Sequence, residues 1–464
     1  MNYPSSDMVV DPALIRKYDK SGPRYTSYPS ADHFVEAFGE KNYLHWLANR
    51  NIGGIQQPLS LYLHLPFCES LCFYCACNKV VTRDHRRSGK YINYLMLEMG
   101  LISELLAADR QVSHLHWGGG TPNFLTQDEM SQLMAAFNTH FERLPDFEAA
   151  IEIDPRTAEP GLMGFLAGLG FRRVSLGVQD FDPEVQKAVH RVQSESVTQR
   201  VMEEARAEGY QSINVDLIYG LPKQTLDGFN STLDRIIALN PDRIALYRYA
   251  HLPLQFKPQR RIAEADLPSA ETDLQILTLA VGRLIAAGYL YIGMDHFAKP
   301  NNALAVAQHQ GRLHRNFQGY SAQAESDMLG FGVSAIGRVG PTYEQNMKNI
   351  EDYYAAIDAG RLPVFRGLVL SQDDLLRRAV IQALICQFRL SLESIELAYL
   401  IEFRKYFSQE LQELKPLEDD GLVEVQPDWI IVTPKGRLMV RIVCMVFDRY
   451  LRQSRQHEGY SKVM

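Results

Sequence analysis

Short runs in which apolar and polar residues alternate recur through the first two thirds of the chain. Residues 59–63, 114–117, 150–153, 174–178, 213–218 and 244–249 read as strands, and 289–293 offers a seventh. Between them, at 90–106, 128–141, 196–208 and 226–239, apolar positions recur at helical spacing. Alternating strand and helix predicts βαβ units on a parallel sheet. Six such units fit an α/β fold with a partial (β/α)6 TIM-type barrel better than a closed eight-stranded one.

The pattern changes after about residue 300. Residues 371–388 read as an amphipathic helix capped by Ser371, with Asp373 and Asp374 in its first turn. Further helices follow, then a hairpin at 421–425 and 429–432, then a helix over 435–450. Helices followed by a hairpin suggest a mainly helical, winged-helix-like C-terminal domain. The expected organisation is an N-terminal arm (1–55), the barrel (56–300), an extension completing the active site (301–370) and the C-terminal domain (371–464).

Composition narrows the functional classes. The 464 residues exceed what one small core needs. A formal net charge of -7 and the absence of a basic stripe argue against a nucleic-acid partner. The start carries no basic, then apolar, leader, and no stretch of 18 apolar residues occurs, so the expectation is a cytoplasmic protein without a membrane span. Nothing demands assembly, so a monomer is expected. The basic runs 83–87 and 257–261 read as solvated loops.

Four of the six cysteines lie within ten residues: Cys68, Cys72, Cys75 and Cys77. In a cytosolic chain such clustering favours metal over disulfide chemistry. Cys386 and Cys444 sit in apolar helical patterns and read as core residues. Cys68, Cys72 and Cys75 are spaced C-x3-C-x2-C, which can wrap three corners of a 4Fe-4S cluster and leave the fourth iron open. S-adenosylmethionine can chelate such an iron through its amino and carboxylate groups. Structural zinc is the alternative, but it prefers well-separated Cys pairs or a His partner. Cys77 is not needed for three-point ligation. It is a thiol that assists hydrogen or electron transfer, a spare thiol, or an alternative iron ligand.

The candidate residues fall where barrel enzymes carry their chemistry, on loops at the C-terminal ends of strands. The cysteines follow the first strand and Gly118-Gly119-Gly120-Thr121 the second. Glycines there allow close backbone approach to a ligand, and a tight turn is the plain alternative. Glu152 is near the end of the third strand, Gln179 just after the fourth and Asp216 near the end of the fifth.

Cys68-x3-Cys72-x2-Cys75 after the first strand resembles the signature of radical S-adenosylmethionine enzymes. The segments Gly22-Pro-Arg-Tyr-Thr-Ser-Tyr-Pro29, Tyr62-Leu-His-Leu-Pro-Phe-Cys68, Cys75-Ala-Cys77, Gly118-Gly-Gly-Thr-Pro122, Asp295-His-Phe297, Arg315-Asn-Phe-Gln-Gly-Tyr320 and Lys435-Gly-Arg-Leu resemble the oxygen-independent coproporphyrinogen III oxidase family. The resemblance runs from about Tyr18 to the C-terminus. It implies that Gly119, Gly120 and Thr121 hold the amino-acid end of S-adenosylmethionine. It further implies that Glu152, Tyr62 and Ile336 contact that molecule, with Tyr74 near its nucleotide. Gln179, Arg191, Asp216 and Ala250 match contacts to a second S-adenosylmethionine.

The implied reaction is oxidative decarboxylation of coproporphyrinogen III to protoporphyrinogen IX, two propionates becoming vinyl groups. A propionate β-C–H is too weakly acidic for a side-chain base, so a 5′-deoxyadenosyl radical is required. A reductase or flavodoxin-type electron donor and an unidentified electron acceptor are expected partners. Arg24 and Tyr25, in a Pro-rich arm, are expected to form a lid, with Arg24 pairing with a substrate propionate. A heme-binding chaperone of the same superfamily is the rival reading. Such chaperones usually carry Phe at the Cys77 position and lack the Pro-Arg-Tyr-Thr-Ser-Tyr-Pro segment.

Overall fold

The computed structural model describes residues 8–51, 57–106, 109–322, 326–453 and 462. The first seven residues of the expected arm, 52–56 and most of the last eleven residues therefore lie outside the described chain.

Six strands form the expected parallel wall in chain order: β1 (Leu59–Leu65), β2 (Gln111–Gly119), β3 (Glu142–Ile153), β4 (Phe171–Gln179), β5 (Ser212–Tyr219) and β6 (Arg243–Arg248). Helices α1 (Arg86–Leu105), α2 (Gln127–His140), α3 (Leu162–Leu169), α4 (Glu195–Ala207), α5 (Leu226–Leu239) and α6 (Ala270–Ala286) cover its outer face. Period-two alternation decides which side chains go where. Leu61, Leu63, Leu115, Trp117, Ile151, Val174, Leu176, Val215, Leu217 and Ile244 are buried against the helices. The intervening positions, His116, Glu152, Ser175, Asn214, Asp216 and Arg243 among them, are mostly polar and line the inside of the sheet.

The sheet is larger than the sequence suggests. After β7 (Leu290–Gly293) and β8 (His296–Ala298) the chain forms β9 (Asp327–Phe331), β10 (Ile336–Val339), β11 (Thr342–Asn346) and β12 (Val364–Val369). The order is β12-β11-β10-β9-β1-β2-β3-β4-β5-β6-β8-β7. β9 runs parallel beside β1, with Leu61 opposite Leu329 and Leu63 opposite Phe331. The sheet thus crosses the expected boundary at residue 300. Its end strands, β12 and β7, do not pair with each other. A short hairpin, His314–Asn316 with Gly319–Ser321, lines the chamber inside the curved sheet.

The C-terminal part begins with the expected helix, Gln372–Gln387. Ser371 Oγ accepts from the Asp374 N–H at 3.1 Å, and Asp374 Oδ2 accepts from the Ser371 N–H at 2.9 Å. The expected hairpin gains a third strand: Arg389–Ser391 pairs with Trp429–Val432, which pairs with Val423–Val425. One expectation is corrected here. Residues 435–450 are not a single helix but a 3-10 turn (Arg437–Met439), a helix (Val440–Val446) and a separate start at Arg449. Asp448 supplies the break, because its Oδ1 accepts from the N–H groups of Tyr450 and Leu451 as an N-cap does.

The described part of the arm is pinned to these helices. The buried Arg441 donates to the carbonyls of Gly22 and Pro23. Tyr25 is 2% exposed and donates to Asp448 Oδ2 at 3.0 Å, and Tyr28 is equally buried. Tyr25 therefore anchors the arm to the C-terminal helices.

Candidate active site

The cysteine loop leaves β1 at Pro66 and is closed at its base, where Phe67–Cys68 pairs with Val80–Val81. The loop lies over the C-terminal ends of β2 to β5. Thr121 Oγ1 donates to Cys68 Sγ at 3.4 Å, while the N–H groups of Gly120 and Thr121 donate to Leu65 O and Phe67 O. The glycine run serves the chain's own packing. A Cβ on Gly120 would sit 2.6 Å from the Pro66 backbone, and one on Gly119, at φ +113°, would sit 2.6 Å from the His64 ring.

Cations gather around the thiols. Arg156 Nη2 and Arg191 Nη1 each lie 3.6 Å from Cys72 Sγ, and Lys79 Nζ donates to the carbonyls of Cys75 and Cys77. Arg191 is buried, where a lone arginine is more often exposed. It forks onto Asp154 at 3.0 and 3.2 Å and donates to Gly177 O at 2.6 Å. Asp154 is buried too, which raises its carboxyl, but Arg191 and Arg156 outweigh burial and hold it below the usual range. Hydrogen-bond donors around thiolates tune a cluster and hold its ligands in place.

Cys68, Cys72, Cys75 and Cys77 line one cleft with Tyr74, Gly119, Gly120, Thr121, Glu152, Gln179, Arg191 and Asp216. The sequence-predicted residues thus converge, with five exceptions, one of them Tyr25, which is bonded to Asp448. Tyr62 lies on the inner face of β1, its ring stacked on His116 and its hydroxyl 3.1 Å from His64 Nδ1. Ile336, at the start of β10, packs with Phe34, Tyr343 and Leu370. Ala250 is half-buried, two residues beyond β6. Arg24 is half-buried, with Nη1 2.7 Å from Asp295 Oδ2 and its guanidinium 5.6 Å from the Tyr247 ring centre.

The residues present suit an iron-sulfur cluster and an adenosyl cofactor. Gln179 Oε1 and Arg191 Nε are buried without a hydrogen-bond partner, although both residues line the cleft. Such orphaned groups are costly unless a ligand completes them. Among the described residues no three His, Cys, Asp or Glu side chains converge on one point as a single-ion site requires. A cubane does not need them to, since each thiolate binds a different iron. Glu152 accepts from the Gly119 N–H at 3.3 Å and meets His116 Nε2 at 3.1 Å. Burial raises its carboxyl, but His116 and Gly119 keep it below the usual range. Asp216 accepts from Ser175 and Asn214, while burial and the nearby Glu152 push its carboxyl up to about 6.

Sequence reasoning missed several neighbours. Asp154 and Arg156 directly follow the third strand, and Lys79 follows the cysteines, so position was the available signal. The run 257–261, expected as a solvated loop, is a 3-10 helix with Gln259 buried and donating to Tyr74 O at 3.1 Å. Arg261 stacks over Phe73 within the cysteine loop. Cys386 and Cys444 are buried in the core as expected.

The fold and the site together define a radical S-adenosylmethionine enzyme carrying a 4Fe-4S cluster. Residues 62–236 match the family model of the Radical SAM superfamily, and residues 370–439 match that of the HemN C-terminal domain. The chain is 50% identical over 456 residues to the oxygen-independent coproporphyrinogen III oxidase of Pseudomonas aeruginosa, covering 98% of each chain. It is 48% identical over 454 residues to that of Escherichia coli, again with 98% of each covered. The solved coproporphyrinogen III oxidase (HemN) from Escherichia coli, described as a radical SAM enzyme, superposes with a TM-score of 0.91 at 46% identity, over 96% of this chain and 100% of that one. The chain belongs to the oxygen-independent coproporphyrinogen III oxidase family. No helix among the described residues is long and apolar enough to cross a membrane.

Proposed function

We propose that this chain converts coproporphyrinogen III to protoporphyrinogen IX without oxygen, in heme biosynthesis, decarboxylating two propionates to vinyl groups. One observation carries the reading: three cysteines of a single loop stand over the strand ends of a chain that matches named oxidases along nearly its whole length. When bound, the reduced cluster and S-adenosylmethionine supply a 5′-deoxyadenosyl radical able to take hydrogen from a propionate β-carbon.

The chain's own residues bind, orient and shield. Cys68, Cys72 and Cys75 would hold the cluster through three thiolates, and the cluster would supply the electron that opens the cofactor. Tyr62, Tyr74, Gly119, Gly120, Thr121, Glu152 and Ile336 are assigned to one S-adenosylmethionine. Gln179, Arg191, Asp216 and Ala250 are assigned to a second. The exposed Cys77 thiol lies beside Cys75 and is assigned to hydrogen or electron transfer near the substrate. Arg24 is assigned to a propionate, exchanging Asp295 for the substrate carboxylate. Residues 301–370 complete the site, since the hairpin at 314–321 supplies part of the chamber wall. The enzyme is read as a cytoplasmic monomer served by a flavodoxin-type donor.

The test is anaerobic. Protein reconstituted with iron and sulfide, given reductant, S-adenosylmethionine and coproporphyrinogen III, should release carbon dioxide, 5′-deoxyadenosine and protoporphyrinogen IX. One 5′-deoxyadenosine per vinyl group is expected. Heme retention with no turnover would overturn the reading.

A further inference from the structure

In a closed eight-stranded barrel the interior is a packed apolar core. Here the inner positions of β2 to β6 are His114, His116, Glu148, Arg173, Asn214, Asp216, Arg243 and Tyr247, around one chamber. The hairpin at 314–321 adds Gln318 and Tyr320 to its wall. Buried polar groups are tolerated when each has a partner.

Every carboxylate in the chamber is satisfied. Glu148 accepts from Arg173 at 2.6 Å and lies 3.3 Å from His114, Glu152 has His116 and Gly119, and Asp216 has Ser175 and Asn214. Two donors are not. Arg243 Nε and Gln318 Nε2 are buried without a hydrogen-bond partner, and among the described residues no ion pair reaches the Arg243 guanidinium. Asp216 and Glu148 attract it at longer range and Arg173 repels it. The chamber therefore holds a cation and an amide that both lack an acceptor.

We propose that Arg243 and Gln318 form a carboxylate-binding station that takes one propionate of the tetrapyrrole. The inference rests on the oxidase reading above. The station adjoins the chemistry: Glu152, Ser175 and Asp216 line both this chamber and the cysteine cleft. Arg243 also stands in one cross-strand row with Glu152 and Ser175, since Glu152 pairs with Ser175, Ser175 with Asn214 and Asn214 with Arg243. Three strand spacings, roughly 14 Å along the sheet, separate the ends of that row. That is the scale of a tetrapyrrole with its side chains, so one propionate can be held at Arg243 while another reaches the cofactor end.

The probe is coproporphyrin III, the stable oxidised form of the substrate, with its tetramethyl ester as control. Binding to the cluster-loaded protein is followed by fluorescence in the parent, Arg243→Gln, Arg243→Lys and Gln318→Leu. Arg243→Gln should weaken binding of the free acid at least tenfold and leave the ester unchanged. Arg243→Lys should recover part of the loss, and Gln318→Leu should weaken the acid about threefold. The response of the reduced cluster's electron paramagnetic resonance to S-adenosylmethionine should persist in all four. Parent-like binding by Arg243→Gln, or equal losses for acid and ester, would overturn the station while leaving the oxidase reading intact. A parent protein that ignores coproporphyrin III would sink the station, whereas the oxidase reading falls only if coproporphyrinogen III is not turned over in the anaerobic assay.

Discussion

Arg191 and Asp154 face each other in the cysteine cleft as a buried, two-pronged ion pair, Nη1 to Oδ2 at 3.0 Å and Nη2 to Oδ1 at 3.2 Å. The pair joins the end of β3 to the segment carrying Arg191, and through Gly177 O to β4. Removing one partner strands the other charge, a loss of about 3–5 kcal/mol. Arg191→Ala should therefore lower the unfolding midpoint and the iron retained after reconstitution. Arg191→Lys should do less harm, since it keeps the charge but not the fork. Calorimetry with iron analysis checks this, and parent-like values for Arg191→Ala would refute it.

The cysteines should divide cleanly. Cys68→Ser, Cys72→Ser and Cys75→Ser should each abolish the stable cluster. Cys386→Ser and Cys444→Ser should retain it, at a cost in stability from polar groups placed in a buried core. Cys77→Ser should keep cluster and S-adenosylmethionine cleavage but lose product. Iron content, 5′-deoxyadenosine and protoporphyrinogen IX measured side by side separate the three groups. Product at the parent rate from Cys77→Ser would remove that thiol from the mechanism.

Gly120→Ala tests the loop after β2. Its added methyl meets backbone atoms of Pro66 at 2.6 Å, which cannot swing aside as a flexible side chain can. The loop should shift, and with it Thr121, which touches Cys68 Sγ. S-adenosylmethionine affinity should fall at least tenfold. Gly161→Ala meets no neighbouring atom but sits at φ +83°, so it should cost about 1 kcal/mol through backbone strain and leave affinity unchanged.

Glu98, buried on α1, gives a pH signature. Its carboxyl accepts from Gly332 N–H, Asn346 Nδ2 and the Tyr353 hydroxyl, yet burial prevails and pushes its pKa from 4.5 up to about 7. The folded state thus favours the protonated acid. That stabilisation is complete below about pH 4.5 and is lost as pH rises through 7, a change of about 3 kcal/mol. Glu98→Gln has no proton to lose. The stability of the parent relative to Glu98→Gln should therefore fall between pH 5 and 7.5, as denaturant titrations at several pH values would record. A flat difference would contradict the shift.

Much of the fold was legible because several of its parallel strands carry apolar residues at alternate positions. The helix expected at 226–239 is Leu226–Leu239 to the residue, since Thr225 caps one end and Asn240, in the left-handed conformation, closes the other. β3 starts eight residues earlier than its apolar core suggests, because Glu142, Arg143 and Asp146 are charged and Pro145 stands among them, so the stretch reads as loop. β9 was invisible as a strand. Asp327-Met-Leu-Gly-Phe is short and contains glycine, and its partner β1 lies more than two hundred residues earlier. The cysteine cluster stood out from its spacing alone, and the fold brings its thiols into one cleft. The polar barrel interior was legible in principle, since strands of a parallel sheet are normally apolar on both faces. The alternation in His114-Leu-His116-Trp117 and Asn214-Val-Asp216 already departed from that rule. Arg191 could not be placed by pattern, because its partner Asp154 is thirty-seven residues away and only folding brings them together.

The central claim is that three thiolates leave one iron free for S-adenosylmethionine. Electron–nuclear double resonance on the reduced, anaerobically reconstituted protein measures this directly, using cofactor labelled with 15N at the amino group and 17O at the carboxylate. The account predicts hyperfine coupling from both labels to the cluster, in the parent and in Cys77→Ser alike. A cluster whose spectrum shows neither coupling, or a protein that binds only zinc, would contradict it.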